Sequence, residues 1–317
     1  LSAKVKIPKL SWKEVRTLFK RTFVEFFQEE SFFHGAALAY YAVFAIIPII
    51  YLAVISFGNI LGQEEILRLI KVLLEEQVGL KDSSGILDFL SEVHFEKSSV
   101  ILNIIGIIAL MFSSSGLISS LRLSINEFYD IHVKIDDRKT QILYAVFIKL
   151  VAVFMLAVFG VTIVLLYTGE TIFMSVSGKL YDSLHLEQQW IMSGLEHVVA
   201  IGINTILFSL VYKFLHDGKV VWKLALSGGL LTSFLLYIGQ IGLKFYLTNF
   251  FFGSQMGIAG TLLIFLAWMY YSSQIIFLGA KFIKVYSELI GKPIIFEVHK
   301  LLQNMQKRKK DTTRLPE

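Results

Sequence analysis

A lysine inside a long apolar run is the first residue of this chain that asks for a chemical explanation. Lys149 interrupts an otherwise uncharged stretch that runs from about residue 140 to 168. It lies roughly 13 Å along a helix rising 1.5 Å per residue, deep in a hydrocarbon core about 30 Å thick. An ammonium at that depth costs several kcal/mol unless it is hydrated or paired. It either stretches to the near surface along its own apolar stem or turns inward to hold an anion or a polar headgroup. Arg122 and Asn126 form a second centre. Their spacing puts both on one helical face, where a guanidinium can grip a phosphate through two parallel hydrogen bonds or anchor the end of a span. Tyr40, Tyr41, Gln240 and Gln274 form an uncharged third set, as do Asn59, Asn103 and Asn204. In lipid such side chains hydrogen-bond between helices or line a polar path. The substrate-binding residues expected from the sequence are therefore Lys149, Arg122, Asn126, Tyr40, Tyr41, Gln240 and Gln274.

The residues that are missing narrow the chemistry. No Asp or Glu stands between Glu96 and Glu127, between Asp137 and Glu170, or between Asp217 and Glu288. That disfavours a midplane carboxylate proton relay or a carboxylate-lined cation path. The chain has no cysteine, which removes disulfides, thiol nucleophiles and zinc-thiolate sites. Its seven histidines are scattered without metal-ligand spacing, and no phosphate loop, nucleophile elbow or zinc-protease motif occurs. A nuclease would need a carboxylate cluster for its metal ions. The expectation is no enzyme, no metal, no cofactor and no nucleic-acid partner.

The elements that position these residues are membrane spans. Of 317 residues, 55% are hydrophobic and only 17% charged, with the charges gathered between long apolar blocks, the pattern of a chain partly solvated by lipid. The blocks predict six transmembrane helices, near 35–60, 99–121, 140–168, 194–215, 222–243 and 257–280, in an all-α, polytopic membrane helix bundle with amphipathic surface helices. The first block carries no charge, and Pro48 inside it removes a backbone donor and predicts a kink. Residues 1–34 form a basic segment. Within it, 11–30 read as a helix whose apolar face (Trp12, Val15, Leu18, Phe19, Phe23, Phe26, Phe27) suits either the membrane interface or docking on other protein, with Lys13, Arg16, Lys20 and Arg21 facing away. The transmembrane domain covers 35–286, an outer loop at 61–98 holds two short amphipathic helices, and 287–317 is a basic tail.

Charge sets the orientation. Twenty-three Lys and Arg lie in the N-terminal segment, the 122–139 connector, the 213–223 turn and the segment after residue 280, against five in the alternate loops. The excess marks the cytoplasmic side, so both termini are expected there.

Several motifs carry a resemblance. His34-Gly35-Ala36-Ala37-Leu38-Ala39-Tyr40-Tyr41, followed by Pro48, resembles the opening of the first span in the YihY/BrkB inner-membrane family. Leu121 to Tyr129, with Asn126, resembles the helix that follows that family's second span. Gly257-Ile258-Ala259-Gly260, Trp268-Met269-Tyr270 and Leu278-Gly279-Ala280 are similar to its C-terminal block. The likeness covers roughly residues 30–286. The chain departs from the pattern at Lys281, where the family usually has Glu, at Gln255-Met256, where Tyr-Gly is common, and at Leu215-His216-Asp217, where a proline is usual.

The resemblance implies a bacterial-type inner-membrane protein with transport or lipid export as its favoured role; an older ribonuclease label for the family is regarded as mistaken. Residues and resemblance together lead to the expectation of a transporter or lipid flippase-like exporter for an anionic or amphipathic substrate, with the bilayer as partner. The alternative is a non-transporting scaffold that maintains the envelope.

Overall fold

The computed structural model describes residues 10–29, 31–45, 115–131, 189–249 and 257–294, with ten single positions between 62 and 169. All regular elements among the described residues are helices. Helix α1 spans Trp12–Gln28 and α2 is helical over Ser31–Ala45. Helix α3 covers residues 115–128. Helices α4, α5 and α6 span Gln189–Phe214, Trp222–Asn249 and Gly257–Leu289. Lys149, Pro48, Asn59 and Asn103 lie outside the described residues, as does most of the 61–98 loop.

Three of these helices are long and apolar enough to cross a membrane: His197–Phe214 within α4, Trp222–Tyr246 within α5 and Leu262–Leu289 within α6. At 1.5 Å per residue, α6 extends roughly 50 Å and outruns the hydrocarbon core. The sequence reading ended the sixth span near residue 280, but the helix continues to Leu289. The second apolar block likewise continues as helix through Phe128, so Arg122 and Asn126 sit on its last turns.

Local chemistry explains the ends. Ser11 caps α1: its hydroxyl accepts from the Glu14 N–H at 3.3 Å, and the Glu14 carboxylate accepts from the Ser11 N–H at 2.6 Å, a reciprocal capping box. Helices α3 and α6 stop by the same device. In α6, Gly291 adopts φ 67° and the Lys292 N–H donates to the Ser287 carbonyl at 2.8 Å. In α3, Asp130 takes φ 54° and the Ile131 N–H donates to the Asn126 carbonyl at 2.8 Å. Both are left-handed C-terminal caps, one built on Gly and one on Asp.

Packing follows the side chains. Helix α4 packs against α5, α5 against α6, and α1 against α6. Gly279 lets α6 approach α4 and α5 closely, because a Cβ there would meet the Thr232 and Tyr212 hydroxyls. Tyr212 in turn bonds Thr232 and donates to the Ile276 carbonyl, each at 2.7 Å. On the outside, Leu226, Leu230, Phe234, Ile238, Ile241 and Phe245 form one exposed stripe along α5. Ile142, Val146, Leu150 and Phe154, four residues apart and helical, are exposed as well. Apolar stripes this long are what lipid-facing surfaces require and what a water-facing surface avoids.

Helix α1 divides its apolar face. Leu18, Thr22 and Phe26 are buried, with Leu18 against Phe282 and Val285 of α6. Trp12, Phe19, Phe23 and Phe27 remain exposed on the neighbouring edge.

Candidate functional site: an ionic cluster at one end of the bundle

The start of α2, the ends of α1, α3 and α6, and the α4–α5 turn meet at one end of the bundle, and charged side chains join them. These are the segments that the sequence reading placed on one basic side. Arg122 of α3 is bound by Asp217 of the turn: Nη2 contacts Oδ1 and Nε donates to Oδ2 at 3.3 Å. Asn126, one turn on, closes the arrangement from both sides. Its Nδ2 donates to Asp217 Oδ2 at 2.5 Å, and its Oδ1 accepts from the Asp217 N–H at 2.9 Å. The shared face expected of Arg122 and Asn126 is what allows this. The ion pair is shielded, with side-chain exposures of 10% and 2%, so neither charge is screened by water and each depends on the other.

His216 precedes Asp217 and is buried. Its Nε2 faces the Tyr212 carbonyl at 2.7 Å and its Nδ1 accepts from the Gly218 N–H at 2.9 Å. That is the neutral tautomer with both nitrogens used. Burial pushes its pKa down to about 4. The ring of Tyr129 meets it edge-on at 5.0 Å, and burial holds that phenol well above its ordinary range.

A second group joins the α1–α2 corner to α6. Lys281 is fully buried and pairs with Glu29. Burial raises the Glu29 pKa, partly offset by the Lys281 ammonium. The Lys281 ammonium also lies 5.9 Å from the centre of the Phe128 ring. That ring stacks on Phe277 at 5.0 Å and on Phe26 at 6.1 Å, so α1, α3 and α6 share one aromatic column. Two turns before Lys281, Gln274 donates from Nε2 to the Ser31 carbonyl at 3.1 Å. Glu29 Oε2, Ser31 Oγ, Gln274 Oε1 and Tyr129 Oη are buried with no hydrogen-bond partner among the described residues. Nearer the rim, Lys284 pairs with Asp130, and Arg21 with Glu25 and Glu288 at 2.7 Å each. The Glu288 carboxylate, with Glu25, raises the Arg21 pKa.

Of the residues expected to bind substrate, Arg122, Asn126 and Gln274 lie at this end. Tyr40 and Tyr41 do not. Both are exposed on α2, Tyr40 against Phe44 at 4.8 Å and Tyr41 beside Gly116. Gln240 stands on α5, roughly 12 Å along the helix from Thr232. Sequence reasoning missed Asp217, Glu29, Asp130, His216 and the inward direction of Lys281 and Lys284. The available signal was that Asp217 is an acid in a short basic turn, and that Lys281 reverses the charge usual at its position.

Chemically, the cluster presents paired charges that are internally satisfied, with a few buried polar atoms left open. An anion approaching Arg122 would have to compete with Asp217. Among the described residues no group of three or more His, Cys, Asp or Glu could hold a metal ion.

Comparison with known proteins fits this picture. The chain is 22% identical over 275 residues to a UPF0761 membrane protein of Alkalilimnicola ehrlichii, covering 86% of this chain and 59% of that protein. It is 24% identical over 247 residues to one of Azoarcus sp., covering 78% and 57% respectively. A third, from Glaesserella parasuis, is 24% identical over 199 residues, covering 62% and 65%. The chain thus spans about three-fifths of the length of the curated relatives it matches. No solved structure matches it significantly. The family described as Virulence factor BrkB matches residues 22–292, a range that holds every member of the ionic cluster except Arg21, and the chain is a membrane protein belonging to that family.

Proposed function

We propose that this protein moves an anionic or amphipathic substrate, lipids among them, across a bacterial-type inner membrane. In this reading it is a six-span bundle with both termini cytoplasmic, carries out no catalytic step, and has its cytoplasmic end closed by the ionic cluster. One observation carries the proposal. The buried charges of the described residues collect at one end as pairs made between different segments, Arg122 with Asp217 and Lys281 with Glu29. Pairs between separate segments can exchange partners when segments part, which is how packed interfaces switch between discrete states. Lys149 would then offer a cation farther along the path.

The test is movement in proteoliposomes of acyl-labelled phosphatidylglycerol and phosphatidylcholine, read by dithionite quenching from outside. The wild-type chain should speed the loss of protected label over protein-free vesicles. Lys149→Gln should slow it, and paired neutralisation by Glu29→Gln with Lys281→Gln should alter the rate several-fold. Movement no faster than in protein-free vesicles, with the fold intact, would remove the transport reading.

A second reading, a non-transporting scaffold, is favoured by the Phe26–Phe128–Phe277 column, which packs this end as tightly as a static core. It predicts no lipid movement and no effect of Lys149→Gln.

A further inference from the structure

The exposed edge of α1 goes beyond the transport reading and does not depend on it. Trp12, Phe19, Phe23 and Phe27 are 85%, 42%, 49% and 60% exposed. At 100° per residue they fall within about 80° of one another. They flank the buried Leu18–Thr22–Phe26 stripe without belonging to it. Arg16, Lys20 and Lys13 occupy the same arc and its outer margin. All three are exposed, and none has a carboxylate partner among the described residues. The acids of the helix, Glu14 and Glu25, lie toward the other side, where Glu25 holds Arg21.

This edge is continuous with the exposed apolar face of α2. Phe27 packs on Phe32 at 6.1 Å, and Phe32, Phe33, Tyr40 and Phe44 are exposed beyond it. Within the edge, Phe19 touches Phe282 of α6 at 5.7 Å. In a family of membrane proteins, an aromatic edge that runs into a membrane-facing helix and is fringed with unpaired cations matches one surface, a leaflet containing anionic phospholipid.

We propose that α1 is a lipid-binding strap. It lies in the headgroup layer with Phe19, Phe23 and Phe27 immersed, and Lys13, Arg16 and Lys20 hold anionic phospholipid headgroups while Leu18 and Phe26 fasten the helix to the bundle.

The chain has no cysteine, so single thiols can be introduced and spin-labelled in the full protein. Labels at Phe23→Cys and Gln28→Cys, both exposed positions on different arcs, are compared in nanodiscs of phosphatidylcholine with and without phosphatidylglycerol. The label at 23 should collide with oxygen and be shielded from a water-soluble nickel chelate, and the label at 28 should show the reverse. Spin-labelled phosphatidylglycerol should associate with the protein in preference to phosphatidylcholine. That preference should fall roughly fivefold for each charge removed in Lys13→Gln, Arg16→Gln and Lys20→Gln. A label at 23 that collides freely with the nickel chelate overturns the proposal. Shielding from both reagents would mean that protein covers the edge, which also overturns it. An unchanged lipid preference in the triple variant overturns the assignment of the three cations.

Discussion

Acid should loosen the α4–α5 turn through one residue. The folded turn holds His216 as a neutral imidazole whose nitrogens are both committed, to the Tyr212 carbonyl and to the Gly218 N–H. A proton added at Nδ1 would face the Gly218 N–H and have no acceptor. Burial lowers the pKa from 6.5 to about 4. In the unfolded chain the ring takes its proton near 6.5, so between those values the unfolded state binds more protons, and stability must fall as pH falls. A displacement of that size corresponds to about 3 kcal/mol, fully present above pH 7 and lost by about pH 4. The measurement is unfolding free energy in mixed micelles from pH 7.5 to 4, for the wild type and for His216→Gln. Subtracting the two removes the contributions of Asp217, Arg122, Lys213 and Tyr129, which face the ring. At pH 7.5 the variant should be less stable by about 1 kcal/mol for a lost hydrogen bond. Toward pH 4 the difference should reverse, because the variant has no proton to take up. A difference that stays level from pH 7.5 to 4, or a wild type that gains on the variant in acid, would refute the reasoning.

Breaking the neighbouring ion pair should cost more than removing it. Asp217→Leu alone strands a buried guanidinium and should lower stability by about 3–5 kcal/mol, whereas Arg122→Met with Asp217→Leu should come close to wild type; equal losses in chemical unfolding would contradict this. Gly279→Ala should cost about 1–3 kcal/mol by overpacking against Tyr212 and Thr232, seen as a lower melting temperature in detergent. Lys281→Glu should abolish monodisperse protein on size exclusion by setting two carboxylates together. Adding Glu29→Lys should restore it, and failure of that rescue would mean that the pair is not what holds the corner.

Much of the architecture is legible in the sequence because lipid leaves few choices. A long apolar block must satisfy its own backbone, so α4, α5 and α6 follow from hydropathy, and α4 ends one residue short of the expected 215. The exceptions are informative. Helices α3 and α6 overrun the apolar blocks because Arg122, Asn126, Lys281 and Lys284 find partners. A polar residue ends a hydrophobic pattern but does not end a helix whose polar face is paired. The Arg122–Asn126 face was readable from spacing alone. Its carboxylate was not, because Asp217 is 91 residues distant from Asn126 and nothing local marks it as a ligand. Glu29 and Lys281 are separated by 252 positions, and each reads alone as a surface charge. Spacing along one helix identifies a face, but only packing identifies what that face meets. The aromatic face of α1 shows the same limit, since periodicity could not say that part would dock on α6 and part would remain open.

The row of contacts on α6 also restricts how this helix can move. Gln274, Phe277, Lys281, Lys284 and Glu288 follow one another at helical spacing and meet Ser31, Phe128, Glu29, Asp130 and Arg21 in turn. A slide of one turn, about 5.4 Å, in one direction would bring Glu288 to Asp130, acid against acid. In the other it would bring Lys284 to Arg21, base against base, and leave Glu29 facing Phe277. The order of side chains therefore works as a key cut for one axial position. Motion of α6 against α1 and α3 must be a tilt or a lifting away, and a ratchet along the helix axis is closed to it.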